Sequence, residues 1–173
     1  VYKAHLYDIP DGKVSSLGEY LPSLLGLEDG EKIIYTVLCG DYSGYMLFAF
    51  ANGKMAKVEL KNYETKSNRR RLVNAYSDKS EIRGIMWLAE DTEIVCFTDN
   101  NKVLAADTAN IPLKSTKSTQ GVQVMKLTKK GATLVKAVRA EESGLEGIKH
   151  YRTKNIPAAG SFLRKDDSQI SMF

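Results

Sequence analysis

Two basic runs carry the side chains best suited to chemistry, Lys66-Ser67-Asn68-Arg69-Arg70-Arg71 and Lys114-Ser115-Thr116-Lys117-Ser118-Thr119-Gln120. Cations set among small hydroxyl and amide side chains neutralise phosphates and position them without reading a base. Each neutralised phosphate releases counterions, so a series of such contacts gives an affinity that falls steeply with salt. The net charge is only +4, but the charge is segregated. Val1 to Leu47 holds three basic residues against seven acidic, Lys54 to Arg71 seven against two, and Leu113 to Arg139 seven against none. Segregation of this kind points to a polyanionic partner more than to general solubility. The candidate contacts are Lys54, Lys57, Lys66, Arg69, Arg70, Arg71, Lys102, Lys114, Lys117 and Lys126. Lys126, together with Lys129-Lys130 and Lys136, reads equally well as plain surface.

Other chemistries find no support. Cys39 and Cys96 sit in apolar strand-like contexts and read as reduced, buried thiols. With no CxxC and only His5 and His150, no metal-ligand spacing occurs, and no cofactor is expected. There is no phosphate-cradling glycine motif and no nucleophile elbow. Asp8, Asp11, Glu28, Asp29 and Glu31 read as surface rather than as a catalytic pair. Trp87 reads as core. Tyr2, Tyr7, Tyr35, Tyr45 and Tyr63 could stack bases in a single-strand binder, but a β-rich core accounts for most of them. No apolar run approaches the ~20 residues of a membrane helix. Val1 opens directly into a strand pattern with no signal-peptide features, which reads as a piece excised from something longer.

Strands have to hold the basic runs in place, and they repeat. A strand is expected at Tyr45–Phe50. Asn52-Gly53 is a hairpin turn signal with Phe48, Phe50, Met55 and Val58 around it, after which Val58-Glu59-Leu60 is expected to leave the sheet. A polar basic loop follows from Lys61 to Arg71, then a return strand at Leu72-Val73-Asn74-Ala75. Lys102-Val103-Leu104 follows Asn100-Asn101 in the same way, 48 residues later, and Val122 answers Val73 at 49. An earlier copy is visible at Val1-Tyr2-Lys3-Ala4. Further strands are expected at Val1–Pro10, Lys32–Leu38, Ile82–Leu88, Glu93–Thr98, Lys102–Asp107, Gly121–Leu127 and Thr133–Val138. Pro22 and Gly26 argue against a long helix over 17–27. A β-rich period of roughly 40–50 residues is the mark of propeller-type blades. The expectation is an all-β chain of about three repeats, 1–46, 47–93 and 94–139, with a partial closing segment over 140–173.

Asn52-Gly53-Lys54-Met55-Ala56-Lys57, Leu24-Leu25-Gly26-Leu27, Gly30-Glu31-Lys32-Ile33 and above all Thr119-Gln120-Gly121-Val122-Gln123-Val124-Met125-Lys126-Leu127 form an ordered series. This series resembles the C-terminal DNA-wrapping domain of the A subunit of bacterial type IIA topoisomerases, DNA gyrase and topoisomerase IV. The resemblance implies a β-pinwheel, a propeller-like disc whose blades exchange strands, here an open arc or fragment because only about three repeats are present. It implies a non-catalytic domain that binds and bends duplex DNA on a basic rim without sequence preference, so the chain is no enzyme by itself. Its partners would be duplex DNA, the ATPase subunit of an ATP-dependent type II topoisomerase, and the remainder of the A subunit. No membrane partner is implied, and the location would be the bacterial cytoplasm at the nucleoid. The sequence leaves two other readings open: a protein-interaction propeller whose basic face binds an acidic partner, and a hydrolytic or ligand-binding propeller, which lacks site chemistry.

Overall fold

Runs of β-branched and aromatic residues broken by Asn-Gly, Asn-Asn and Asp-containing turns make hairpins, and hairpins of one size recur. The computed structural model describes residues 1–15, 17–65, 70–128 and 130–168. Its strands are β1 (Tyr45–Phe50), β2 (Lys54–Glu59), β3 (Ile82–Leu88), β4 (Glu93–Thr98), β5 (Lys102–Asp107), β6 (Leu113–Lys114), β7 (Val122–Gln123), β8 (Leu134–Arg139) and β9 (Ser161–Phe162). β1 pairs antiparallel with β2, and β4 with β5, so all four strand boundaries repeat at an offset of 48. Gly53 and Asn101 occupy the same turn position, and both take positive φ, 76° and 59°. Asparagine tolerates that conformation well enough to stand where glycine stands in the other copy.

Each hairpin gains a third strand on its inner edge: β3 on β1 and β8 on β4. Even the irregularity repeats, with register shifts at Ala49/Phe50 and at Phe97/Thr98. The outer edges are closed by chain from further along. β6 runs parallel to β2 (Lys57 opposite Leu113) and β7 antiparallel to it (Lys54 opposite Gln123). In the second sheet β9 pairs with β5 (Lys102 opposite Phe162), and Arg152 bridges to Ala105 in parallel. Each sheet therefore borrows its edge from the next stretch of sequence.

The two sheets face each other across a core of Leu47, Met55, Leu88, Ile94, Cys96, Leu104, Met125 and Leu134. A second core on the far side of the first sheet gathers Phe48, Phe50, Val58, Tyr63 and Leu72, with Val37 and Tyr42 from the N-terminal segment. A third, behind the second sheet, packs Tyr151 on Val95 and Val103. Sheets covered on both faces explain why Tyr-Met-Leu-Phe-Ala-Phe is apolar throughout rather than alternating.

The N-terminal third departs from expectation. Over 1–10 only Tyr2 makes a bridge, to Arg71, followed by a 3₁₀ turn at Leu6–Asp8. Residues 32–38 carry strand-forming side chains but join no ladder, and Ile34 and Leu38 stand exposed. Leu21–Leu25 is a short helix, α1, with Pro22 in its first turn and Gly26 left-handed at its end. Residues 72–75 form no return strand, the chain bending over 73–76, although Leu72 and Ala75 are buried. The strand expected over 121–127 is limited to β7 and an isolated bridge at Met125. High β-propensity produces a strand only where a neighbouring edge supplies hydrogen bonds. Among the described residues, no helix is long and apolar enough to cross a membrane.

Candidate nucleic-acid interface

The second basic run is carried on the loop from β6 to β7, laid along the outer edge of β2. Gly121, at φ 70°, brings its backbone against the Met55 carbonyl, where a Cβ would collide. The loop is stapled at its other end to the 3₁₀ turn Leu60–Tyr63. Lys117 Nζ donates to the Asn62 carbonyl at 2.9 Å and lies 5.4 Å from the Tyr63 ring centre, while Asn62 Nδ2 donates to the Ser115 carbonyl at 3.2 Å. Tyr63 is buried, donates to the Ala75 carbonyl at 2.7 Å, and has its phenol pushed upward by burial. The turn that Lys117 grips therefore has a fixed base.

That turn leads directly into the first basic run, so the structure brings Lys114 and Lys117 to its root. Lys66 and Arg69 lie outside the described residues. Arg70 and Arg71 sit beside the N-terminal segment, because Lys3 N–H donates to the Arg70 carbonyl and Leu72 N–H to the Val1 carbonyl. Lys3 Nζ joins the same side, donating to the Tyr63 carbonyl at 3.3 Å and to Thr65 Oγ1 at 2.9 Å. Arg70 is exposed and stands 3.9 Å from the Asp8 carboxylate, across a cavity of about 230 Å³ floored by Leu24 and Leu25.

Arg71 is differently placed. Its guanidinium takes Glu28 with both nitrogens, the longer contact 3.1 Å, reaches Glu31 at 3.4 Å and lies over the Tyr2 ring at 5.7 Å. Tyr2 in turn donates to Glu31. That hydrogen bond, and next the Glu28 backbone N–H, hold the Glu31 carboxyl below its ordinary value. The acidic turn at 28–31 opposite an arginine run was visible in the sequence as charge segregation, but no spacing marked which residues would meet.

Lys57 is the clear correction among the candidate contacts. It is buried, its Nζ 2.8 Å from Asp91 Oδ1 and 2.9 Å from the Thr108 carbonyl. Thr108 also donates to Asp91 at 2.7 Å. Burial works to raise the Asp91 carboxyl, but the hydrogen bonds from Lys57 and Thr108 outweigh it and hold the group below its ordinary value. A buried cation whose charge is already met by a carboxylate is out of reach of a phosphate. The signal for this was available: 48 residues on, the same position is Ala105, a core residue.

The remaining candidates lie at the hairpin ends. Lys54 is half-buried opposite Gln123, whose amide donates to the Asn52 and Met125 carbonyls, each at 2.8 Å. Lys102 Nζ meets Thr128 Oγ1 at 3.0 Å and the ring of exposed Phe162. Lys126 is exposed, its backbone tied to the Ala158 carbonyl. Among the described residues no three His, Cys, Asp or Glu side chains gather as metal ligands. What the described residues supply are Lys114 and Lys117 along the β2 edge, exposed Arg70 and Lys126, and Lys54 and Lys102 at the two hairpin ends, cations of the kind that phosphates take.

No protein-family model matches the chain. It is 28% identical over 144 residues to the DNA gyrase A protein of Borrelia hermsii, a match covering 82% of this chain and 18% of that protein. Against the DNA gyrase A protein of Campylobacter jejuni it is 24% identical over 183 residues, covering 98% of this chain and 21% of the other. The chain thus spans about a fifth of the length of the curated relatives it matches. Among solved structures it is similar to the C-terminal domain of a DNA topoisomerase IV, with a TM-score of 0.67 at 23% identity over 80% of this chain and 43% of that one. It is likewise similar to a DNA gyrase A C-terminal domain, with a TM-score of 0.55 at 24% identity over 82% and 44%. The chain resembles this region of gyrase A, and its fold is that of the β-pinwheel.

Proposed function

We propose that this chain is a non-catalytic domain of a type II topoisomerase A subunit that binds duplex DNA without sequence preference and bends it along the outer edge of its sheets. The carrying observation is the likeness to gyrase A proteins over most of the chain, joined to the pinwheel fold; the basic loop that carries Lys114 and Lys117 along β2 supports the reading. Duplex DNA presents a continuous line of phosphates; in support of this reading, Lys114 pairs along the outer edge of β2, Lys117 holds the turn at Leu60–Tyr63, and Arg70 is exposed on the stretch that follows that turn in the chain. The partners under this reading are duplex DNA, the ATPase subunit of an ATP-dependent enzyme, and the rest of the A subunit, in the bacterial cytoplasm at the nucleoid. The repeat boundaries at 1–46, 47–93 and 94–139, with a closing segment after 140, belong to the same proposal.

One observation favours a second reading, a protein-interaction module with an acidic partner: Arg71 already takes two carboxylates from the chain itself. Duplex binding separates the two. Lys114→Ala with Arg70→Ala is expected to weaken binding to all duplex sequences alike and to lower the salt slope by about one unit for each phosphate no longer neutralised. Bending further requires that affinity rise with duplex length beyond a single contact patch. Unchanged affinity in a variant whose melting transition matches the parent would reject the DNA reading and move the interaction module ahead.

A further inference from the structure

The N-terminal segment and the Arg70–Leu72 stretch are joined by backbone hydrogen bonds, and the pairing of their side chains is one-sided. Val1–Lys3 runs antiparallel to Arg70–Leu72. From the same segment three carboxylates come to the two arginines: Asp8 at Arg70, Glu28 and Glu31 at Arg71. The two guanidinium groups are held unequally. The Arg70 side chain is 70% exposed with one carboxylate at the limit of pairing, while Arg71 has a forked partner, a second carboxylate and a ring beneath it. The forked geometry is what a guanidinium offers a phosphate, because carboxylate and phosphate oxygens match the same pair of N–H donors. Both acids are substantially solvent-accessible, so the pair is one that a competing anion can displace.

We propose that Glu28 and Glu31 occupy the phosphate site of Arg71, so that the N-terminal segment acts as an internal competitor of duplex DNA at the arginine run. Arg70 is then the residue available to DNA in the closed arrangement. Arg71 joins when the acidic turn swings off, adding one phosphate contact. This rests on the DNA-binding reading above and specifies how that surface is regulated.

The test is a cycle on the whole chain, read by binding to a duplex of arbitrary sequence across a salt series. Glu28→Gln with Glu31→Gln keeps the shapes and removes both charges. The expected result is several-fold tighter binding at low salt and a salt slope steeper by about one unit. Adding Arg71→Ala should abolish the gain, and Asp29→Asn, which removes a neighbouring charge from the same turn, should leave the slope unchanged. Glu28→Gln alone leaves the Tyr2–Glu31 hydrogen bond in place and gives the same direction of change if the double variant melts early. A slope unchanged in both glutamine variants overturns the competition, as does a gain that survives Arg71→Ala, which would report general repulsion. If the parent and every variant fail to bind duplex, the functional proposal falls and this inference with it. If the parent binds and only the cycle is flat, the inference alone falls.

Discussion

Residues 113–123 lie on β2 and residues 152–162 lie on β5 through pairings 48 residues apart on the two strands and 39 apart in the two borrowed segments. Leu113 faces Lys57 as Arg152 faces Ala105, and Val122 faces Met55 as Ser161 faces Val103. Each loop lays a glycine of positive φ, Gly121 at 70° and Gly160 at 69°, against the carbonyl of the strand beneath, Met55 and Val103. Their surfaces differ. Each loop carries two cations and no acid, but Lys117 of the first is held by the neutral Asn62 carbonyl, while Arg152 of the second is already paired with Glu93 at 2.6 Å. Docking and charge are therefore separate layers of the design. Backbone geometry seats a loop on the sheet, and side chains then decide whether that seat meets an anion.

The parallel between the two loops is most vulnerable at the glycines. Gly121→Ala forces a Cβ into the Met55 carbonyl and a left-handed backbone onto an alanine, a cost of roughly 3–5 kcal/mol. Gly160→Ala meets the Val103 carbonyl at 2.5 Å and should cost less, roughly 2–3 kcal/mol, because one of its other neighbours is the flexible end of Met125. Denaturant unfolding measures both, and stability unaffected by either change would remove the glycine from the docking argument.

A smaller effect separates the ion pairs at the two sheet edges. Asp91→Ala leaves Lys57 buried with the Thr108 carbonyl and the Tyr45 ring but no counter-charge, and is expected to cost about 3 kcal/mol, at the low end for a buried pair because Asp91 is part-exposed. Glu93→Ala at the accessible Arg152 pair should cost less than about 1 kcal/mol. Similar losses in thermal melts of the two variants would contradict the assignment of Lys57 to the interior.

The smallest effect concerns the thiols. Burial pushes Cys96, in the second sheet, up to about 12 from an ordinary value of 9.0, and pushes half-buried Cys39 upward as well. A folded value raised above the unfolded one stabilises fully below the unfolded pKa and is lost as pH rises through the folded one. The melting temperature should therefore fall as pH climbs between about 9 and 12. In the native state a thiol reagent should label Cys39 before Cys96; the reverse order would mean the second sheet opens more readily than its burial implies.

Much of the frame was legible because local and long-range preferences agree there. Tyr45–Phe50, Glu93–Thr98, Lys102–Asp107 and Ile82–Leu88 fall on their expected boundaries, since each is a strand-forming run between strong turn residues and each finds an edge to pair with. Residues 32–38 show what such reading leaves out: their side chains favour a strand, but pairing is a property of a neighbour, and none of the described residues offers one. The interface was legible as charge and not as contact. Lys57 and Arg71 look like their neighbours in sequence, yet one is enclosed by Asp91 and Thr108 and the other gripped by Glu28 and Glu31, partners between 34 and 51 positions away. A basic residue's availability is decided by distant acids, which composition along the chain does not locate.

The borrowed edge strands set an order of events during synthesis. When β1 and β2 leave the ribosome, the outer side of β2 has no partner, and it stays an open row of donors and acceptors until Leu113 to Gln123 have been made. Antiparallel pairing of Lys54 with Gln123 is a distant contact, slow to close because so much chain must first be gathered. Through that interval the nascent first sheet is a template for the wrong strand, including the matching strand of a neighbouring chain. Buried Lys57 lies on that waiting edge. An uncompensated charge there discourages mispairing until Asp91, which follows it in the chain, arrives to neutralise it and the Thr108 carbonyl to accept its hydrogen bond.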